Sequence, residues 1–440
     1  MADYQKHPEY KNMKHISISL LLLTLFITAA CDKKVRLKGK REIIWTLSED
    51  LRVDPVSAAE TVLIAAPEVK SSWTHSRRDT THNVGNMSCS FPLKRVWSCK
   101  LSGAVSHNRK LVSEPIVVDS DVFIFDNSAR VLCVRDGKIK WSLSLVPKKG
   151  SADNVWGGIA YDGQIVYAAT NQAEAFAINA ETGRIIWKRQ LNSPARGGIL
   201  VYRGFIYVLS MDSKLEVLSA ASGDYIWSHA GIPEDIALMG GSGCAAARDT
   251  VIVPYPSGEI FAFYYNNGSQ IWNQIVSRFS LDKMATSLSH IKALPVIDGN
   301  YVYVASNSGK IAALNLINGM QLWEQSISGT TQTPAISINS VFIITNENDL
   351  VCLSKTTGNL RWMTPLPKVV KKTPIFWYGP LFVDGKLVLA GSNGVIMFIS
   401  PADGRKISTI FCGARISIPP VAANGKLYIL TDEVALQAFE

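Results

Sequence analysis

Carboxylates placed for proton transfer, Cys and His spaced for a metal, and an activated thiol or hydroxyl are the groups that could give this chain a reaction. Asp153, Asp235 and Asp282 are the carboxylates that could be named as bases, but each sits in a segment that reads as a loop and is expected to be a solvated acid. The seven histidines are scattered without metal-ligand spacing, and the seven cysteines contain no Cys-x-x-Cys. No catalytic residue, metal or cofactor is therefore expected. One residue stands apart: Cys31, whose thiol follows Thr28-Ala29-Ala30 at the end of an apolar run beginning at Ile16.

That run is about fifteen residues long, short of the roughly twenty a membrane-crossing helix needs, and Lys14 and His15 precede it. Residues 1–30 are expected to be a signal peptide, with Met13 as an alternative start. Small residues directly before a cysteine resemble the lipobox of bacterial lipoproteins, in which that cysteine is diacylated on sulfur and becomes the new N-terminus. The plainer alternative is ordinary cleavage after Ala30.

The formal charge of +9 is concentrated rather than spread, because Lys33, Lys34, Arg36, Lys38, Lys40 and Arg41 cluster beside Cys31 and leave the remainder close to neutral. A basic cluster next to a lipid could attract anionic head groups or serve only as a solvated tether. Nucleic acid is not an expected partner. Residues 31–72, polar and then rich in Ala, Ser, Glu and Pro, are expected to form a tether with at most a short helix around residues 58–65.

The elements that position everything else come from a repeat. Gly-x-x-x-Trp recurs at Gly137/Trp141, Gly183/Trp187, Gly223/Trp227, Gly268/Trp272, Gly319/Trp323 and Gly358/Trp362, and a degenerate copy at Gly404 carries Ser408 in place of tryptophan. Intervals of 39 to 51 residues, each holding short apolar runs between Asp-Gly, Ser-Gly or Asn-Gly turns, are the grammar of four-stranded propeller blades. Ile418 to Phe439 supplies three strands and stops, whereas the Trp97 strand near the start has no preceding unit. Joining them predicts an all-β fold, an eight-bladed β-propeller of four-stranded antiparallel blades over residues 73–440, its ring closed by an N-terminal strand. The tryptophans are expected to pack between neighbouring blades, one buried aromatic at each junction.

Trp73 with Asn83-Val-Gly-Asn, Gly157-Gly-Ile-Ala-Tyr-Asp-Gly, Pro194-Ala-Arg-Gly, Val253-Pro-Tyr-Pro-Ser-Gly-Glu and Ser417-Ile-Pro-Pro-Val, in this order, resemble the quinoprotein-like propeller superfamily. With the lipobox, they resemble its BamB family, lipoproteins of the outer-membrane β-barrel assembly machinery. The resemblance implies a non-catalytic scaffold on the periplasmic face of the outer membrane that docks to the barrel subunit BamA, with unfolded outer-membrane proteins as further clients. It maps partner contacts to Ile236, Leu238 and Met239, where the family's arginine is lost, and to His290 and Lys292, where its paired aspartates are replaced. Asp32 after the cysteine favours inner-membrane retention in some bacteria. The competing functions are a pyrroloquinoline-quinone dehydrogenase and a propeller that binds other envelope components.

Overall fold

Runs such as Tyr301–Ala305 and Lys310–Asn315 are apolar on both faces. A strand of this kind is stable only when both sides are covered, as in a blade sandwiched between two others. In the computed structural model, which describes residues 51–101, 113–146, 156–234, 240, 242–276 and 291–440, eight antiparallel sheets satisfy this requirement. Blades 1 to 7 span residues 116–144, 157–190, 195–230, 245–275, 296–326, 335–365 and 377–411. Blade 8 takes three strands from residues 421–439 and its outermost strand from Arg95–Lys100, with Trp97 opposite Ala438. Lys94 and Glu440 exchange backbone hydrogen bonds of 2.8 and 2.9 Å, so the two chain ends fasten the ring.

Within each blade, strands A to D run from the channel outward; A–B and C–D turns lie on one face of the ring, and B–C turns and D–A connections on the other. Each outer-strand tryptophan lies over the C–D glycine of the next blade. A Cβ on Gly223 would meet Trp187 Cε3 at 2.8 Å, one on Gly319 would meet Trp272 Cδ2 at 2.6 Å, and one on Gly358, which has φ +75, would meet Trp323 Cε3 at 2.5 Å. The same glycine is thus required both for the turn and for the approach of the ring. Indole Nε1 atoms donate to the carbonyl three residues before that glycine: Trp141 to Ala180 at 2.8 Å, Trp187 to Ala220 at 3.0 Å, Trp272 to Leu316 at 2.9 Å and Trp323 to Lys355 at 2.9 Å. Trp227 departs from this pattern. Its Nε1 is buried without a partner among the described residues, because the equivalent carbonyl of Tyr265 accepts from the Tyr207 hydroxyl at 2.6 Å.

The expectation of a buried aromatic at every junction is corrected in degree. Trp272 and Trp323 are buried, each 7% exposed, whereas Trp97, Trp141, Trp187, Trp227 and Trp362 are half-buried. The reason is their place on the outermost strand. One side of each ring lies over the next blade's glycine turn, but beyond that strand there is no further strand to cover the rest, so five of the seven indoles keep part of their surface in water.

Cross-strand neighbours explain the degenerate repeat. Opposite each tryptophan sits a smaller residue: Cys133, Ala177, Val217, Ala262, Ala313, Cys352 or Ala438. Opposite Ser408 sits Phe398, against which Phe91 packs edge-on at 5.4 Å. The two positions exchange bulk where blade 8, built from both chain ends, has no C–D turn to receive an indole. All six described cysteines are unpaired and buried, and burial pushes the Cys133 and Cys352 thiols up to about 12. They are packing residues rather than nucleophiles.

The expectation of a tether as far as residue 72 is corrected from Leu51 onward. Val53 bridges to Leu360 in blade 6, and a helix at Pro55–Ala59, not 58–65, is capped by Asp54 Oδ2 accepting from Ser57 N at 2.9 Å. Beyond it, Glu60 pairs with the buried Arg361, and Leu63 N donates to Asn339 Oδ1 at 2.8 Å. Lys70 O then accepts from Asn424 N, and Ser71 O from Asp119 N, both at 2.8 Å. This strap crosses the A–B turns of blades 6, 8 and 1, held by partners far away in sequence that no local pattern can announce. A separate small hairpin, Val369–Val370 with Thr373–Pro374, projects from the connection between blades 6 and 7. Among the described residues no helix is long and apolar enough to cross a membrane.

Candidate functional site

The expected partner residues Ile236, Leu238, Met239 and His290 lie outside the described residues, as do Asp153, Asp235, Asp282 and Cys31. What is described is how the roots of the two loops are held. Trp227 and Trp272 stand in the outer strands that run into the first and second loop, Tyr225–Ala230 and Gln270–Ile275, while Trp187 stands one blade earlier, in Ile185–Gln190. Gly231 N donates to Ser213 O at 2.9 Å and Ile232 N to Glu259 Oε2 at 2.9 Å, which fixes the entry to the first loop. Beneath it His229 packs on Phe261 and Phe263 with ring centroids 4.6 and 4.7 Å apart, and its Nδ1 lies 2.8 Å from the Tyr255 hydroxyl. Tyr255 and Glu259 belong to the Val253–Glu259 string, whose positioning role spacing alone does not reveal.

The exits of the two loops are joined directly. Ser242 Oγ, buried after the first loop, donates to Ala293 O after the second at 2.9 Å. Lys292 is half-buried between the buried Ile291 and Ala293 and is engaged in a polar contact, so it is not a free surface charge. Both loops are D–A connections, bracketing blade 4 on the face opposite the strap.

The channel at the centre of the ring is occupied by the chain itself. Residues 72–87 follow the inner edges of the blades, and the A strands of blades 1, 2, 4, 5 and 7 pair their backbone groups with this segment. Trp73 pairs opposite Val117 in blade 1. Thr74, Thr80 and Thr81 carbonyls accept from Tyr161, Ala246 and Ile297 at 2.7 to 2.8 Å, and Asn86 and Met87 pair in parallel with Phe382 and Val383. Inner edges that would be unpaired polar strips are thereby satisfied. Arg77 threads across to donate from Nη2 to Pro380 O at 2.6 Å. Arg196, 1% exposed, leaves Nε and Nη2 without partners among the described residues, and burial draws its guanidinium down to about 10.

Two histidines of the plug are fully buried. His82 Nδ1 donates to Pro295 O at 2.8 Å, and His75 Nε2 lies 3.1 Å from Val201 O. Burial pulls both imidazoles down to about 4, and for His75 the neighbouring His82 adds to the effect. The neutral form is therefore bound in the fold, whereas the unfolded chain protonates near 6.5. Stability from these groups is complete above about pH 6.5 and is lost as pH falls from there toward 4, by roughly 2 kcal/mol per histidine at pH 5. Urea midpoints are expected to fall between pH 7 and pH 5. His75→Gln/His82→Asn, which keeps neutral hydrogen-bonding groups, should flatten that fall; parallel pH profiles for the two proteins would refute the assignment.

A cavity of about 420 Å³ between blades 1 and 2 is lined by Asp119, Asp121, Arg135, Tyr161 and Glu181. Three of these charges are paired: Arg135 reaches both Asp121 oxygens at 2.7 Å, and Lys140 reaches Glu181 at 2.6 Å. Among the described residues no group of three or more Cys, His, Asp or Glu is arranged to hold a metal ion.

Eight blades, seven of whose junctions are sealed by indole over glycine, with a channel filled by the chain's own segment, define a propeller of the quinoprotein-like repeat class. The chain matches the family described as outer membrane protein assembly factor BamB over residues 126–364 and 311–437, and it belongs to that family. BamB of Yersinia pestis is 24% identical over 79% of this chain and 89% of its own length. BamB of Escherichia coli K12 is 24% identical over 72% of this chain and 81% of its own. Among solved structures, BamB from Moraxella catarrhalis superposes with a TM-score of 0.68 at 18% identity, over 79% of this chain and 99% of that one. A quinohemoprotein alcohol dehydrogenase from Comamonas testosteroni shares the fold at a TM-score of 0.63 and 12% identity, over 88% of this chain and 82% of that one.

Proposed function

We propose that this protein is a non-catalytic scaffold that assists assembly of outer-membrane β-barrel proteins, held by a lipid on Cys31 at the periplasmic face of the outer membrane. Its docking surface for a BamA-like barrel subunit is the pair of loops that bracket blade 4. The observation that carries this reading is the Ser242 to Ala293 hydrogen bond, which makes the exits of the two loops one surface on a rigid root. Interface anchors act when the framework beneath them is already ordered. The family's named relatives are outer membrane protein assembly factors.

The dehydrogenase alternative fits the residues poorly. Quinone and calcium would need space and oxygen ligands near the inner strands, whereas here the inner edges of five blades are bonded to residues 72–87, and Arg77 and Arg196 set buried guanidinium nitrogens there without partners among the described residues. Replacing Ile236 and Leu238 together with Glu should abolish co-purification with the barrel subunit while the urea midpoint stays unchanged. Undiminished co-purification would remove the first loop from the interface.

A further inference from the structure

The hairpin between blades 6 and 7 has a tip that local energetics do not explain. Val370 pairs with Thr373, so Lys371 and Lys372 alone make a two-residue turn, and both have positive φ, 47° and 68°. A turn of this shape favours Asn-Gly, because left-handed backbone is costly for residues with a Cβ. Two lysines here are a poor choice for the turn and serve something other than folding. Around them Val369, Val370 and Phe376 are 58%, 41% and 60% exposed. Lys368 adds a third cation, 51% exposed, whose nearest acid is Glu347 at 3.9 Å, with Asp349 also within its electrostatic reach.

We propose that this hairpin is a membrane-contact element that sets its lysines among anionic phospholipid head groups and its Val and Phe side chains into the acyl boundary. Three observations select lipid over an acidic protein surface. The cations are all lysines, which protein interfaces disfavour and which at a lipid surface extend their charge to the phosphates from an apolar stem. Val369 and Val370 stand exposed beside the tip and Phe376 stands exposed at the hairpin's base, where its N–H donates to Ser392 Oγ at 3.0 Å, an apolar surface suited to shallow insertion. The strap also touches this blade: Val53 bridges to Leu360 at one end of the strand Leu360–Pro365, and the hairpin follows from its other end. Cys31 lies only twenty positions before Leu51. This last point rests on the lipid-anchor reading above; the first two do not.

The test uses the full chain from residue 31 with Cys31→Ser, so that acylation contributes nothing. Binding is measured to phosphatidylcholine vesicles with and without phosphatidylglycerol. Lys371→Glu/Lys372→Glu should lower partition onto the anionic vesicles by about tenfold or more, with an unchanged urea midpoint. Because the six described native cysteines are buried, Val370→Cys can be labelled with an environment-sensitive dye, and its emission should rise and shift to the blue on the same vesicles. Equal partition of parent and variant, or a dye that stays in water, overturns the proposal. So does loss of an acidic envelope protein from co-purification with vesicle binding unaltered, which would make the hairpin a protein contact. Acylation of Cys31 is read separately, from the mass of the protein extracted from membranes, so the two readings can fail independently.

Discussion

A chain that begins at residue 88 is expected not to form the closed ring, although every blade strand from Arg95 to Phe439 is still present. The segment removed, 51–87, contains the strap and the plug, and with it go the partners of inner-strand backbone groups in blades 1, 2, 4, 5 and 7. Each buried backbone group left unpaired costs about 1–3 kcal/mol, so a handful outweighs the roughly 5–15 kcal/mol by which a domain is stable. Trp73 also packs fully buried with Met87 and the cores of blades 7, 8 and 1. The milder variant Trp73→Ala should therefore lose roughly 3–5 kcal/mol in urea titration. A truncated chain that refolds to a monomer with the full-length midpoint would show that the plug is decorative.

The second large effect is expected at a blade junction. Trp323→Ala removes a side chain 7% exposed and its hydrogen bond to Lys355 O, and should cost roughly 3–5 kcal/mol. Gly358→Ala approaches the same junction from the other side. Its new methyl would lie 2.5 Å from the Trp323 ring on a backbone at φ +75, so the ring must move and about 1 kcal/mol of left-handed strain is added. Combining the two should cost less than their sum, because the alanine at 323 vacates the space that the methyl needs. Strict additivity would show that the indole is not what excludes a side chain at 358. At the exceptional junction, Ser408→Trp should destabilise alone and be partly rescued by Phe398→Ala, which restores the pattern of the other blades.

Much of this fold is legible in the sequence because the blade is a local object. Turn glycines, apolar runs and the outer tryptophan lie within about forty-five residues of one another, and the unmatched Trp97 strand marks the closure. How deeply each indole is covered is not local: Trp187 and Trp272 stand in identical repeats, yet one is half-buried and the other buried. The strap and plug are invisible for a related reason. Leu63, Lys70 and Thr81 find partners at Asn339, Asn424 and Ile297, and apart from one short helix the stretch 51–87 has no periodicity that announces them. The loop roots are intermediate. Tyr255 and Glu259 stand in a recognisable string, but that they brace the entry at His229 and Ile232 follows only from the adjacency of blades 3 and 4. The basis of the Phe398 and Ser408 exchange is a cross-strand register, which a one-dimensional pattern does not carry.

The seam at blade 8 works as a latch between distant parts of the chain. Arg95 lies opposite Phe439 and Lys100 opposite Ala435, so this one blade joins strands more than three hundred positions apart. Every other blade is closed by turns a few residues long, whereas closing the seam costs the entropy of the largest loop in the ring before its contacts repay it. Opening it would bare two strand edges at once, each a template for pairing with another chain. The seam is thus the place where the ring is expected to exchange strands between copies when it is destabilised.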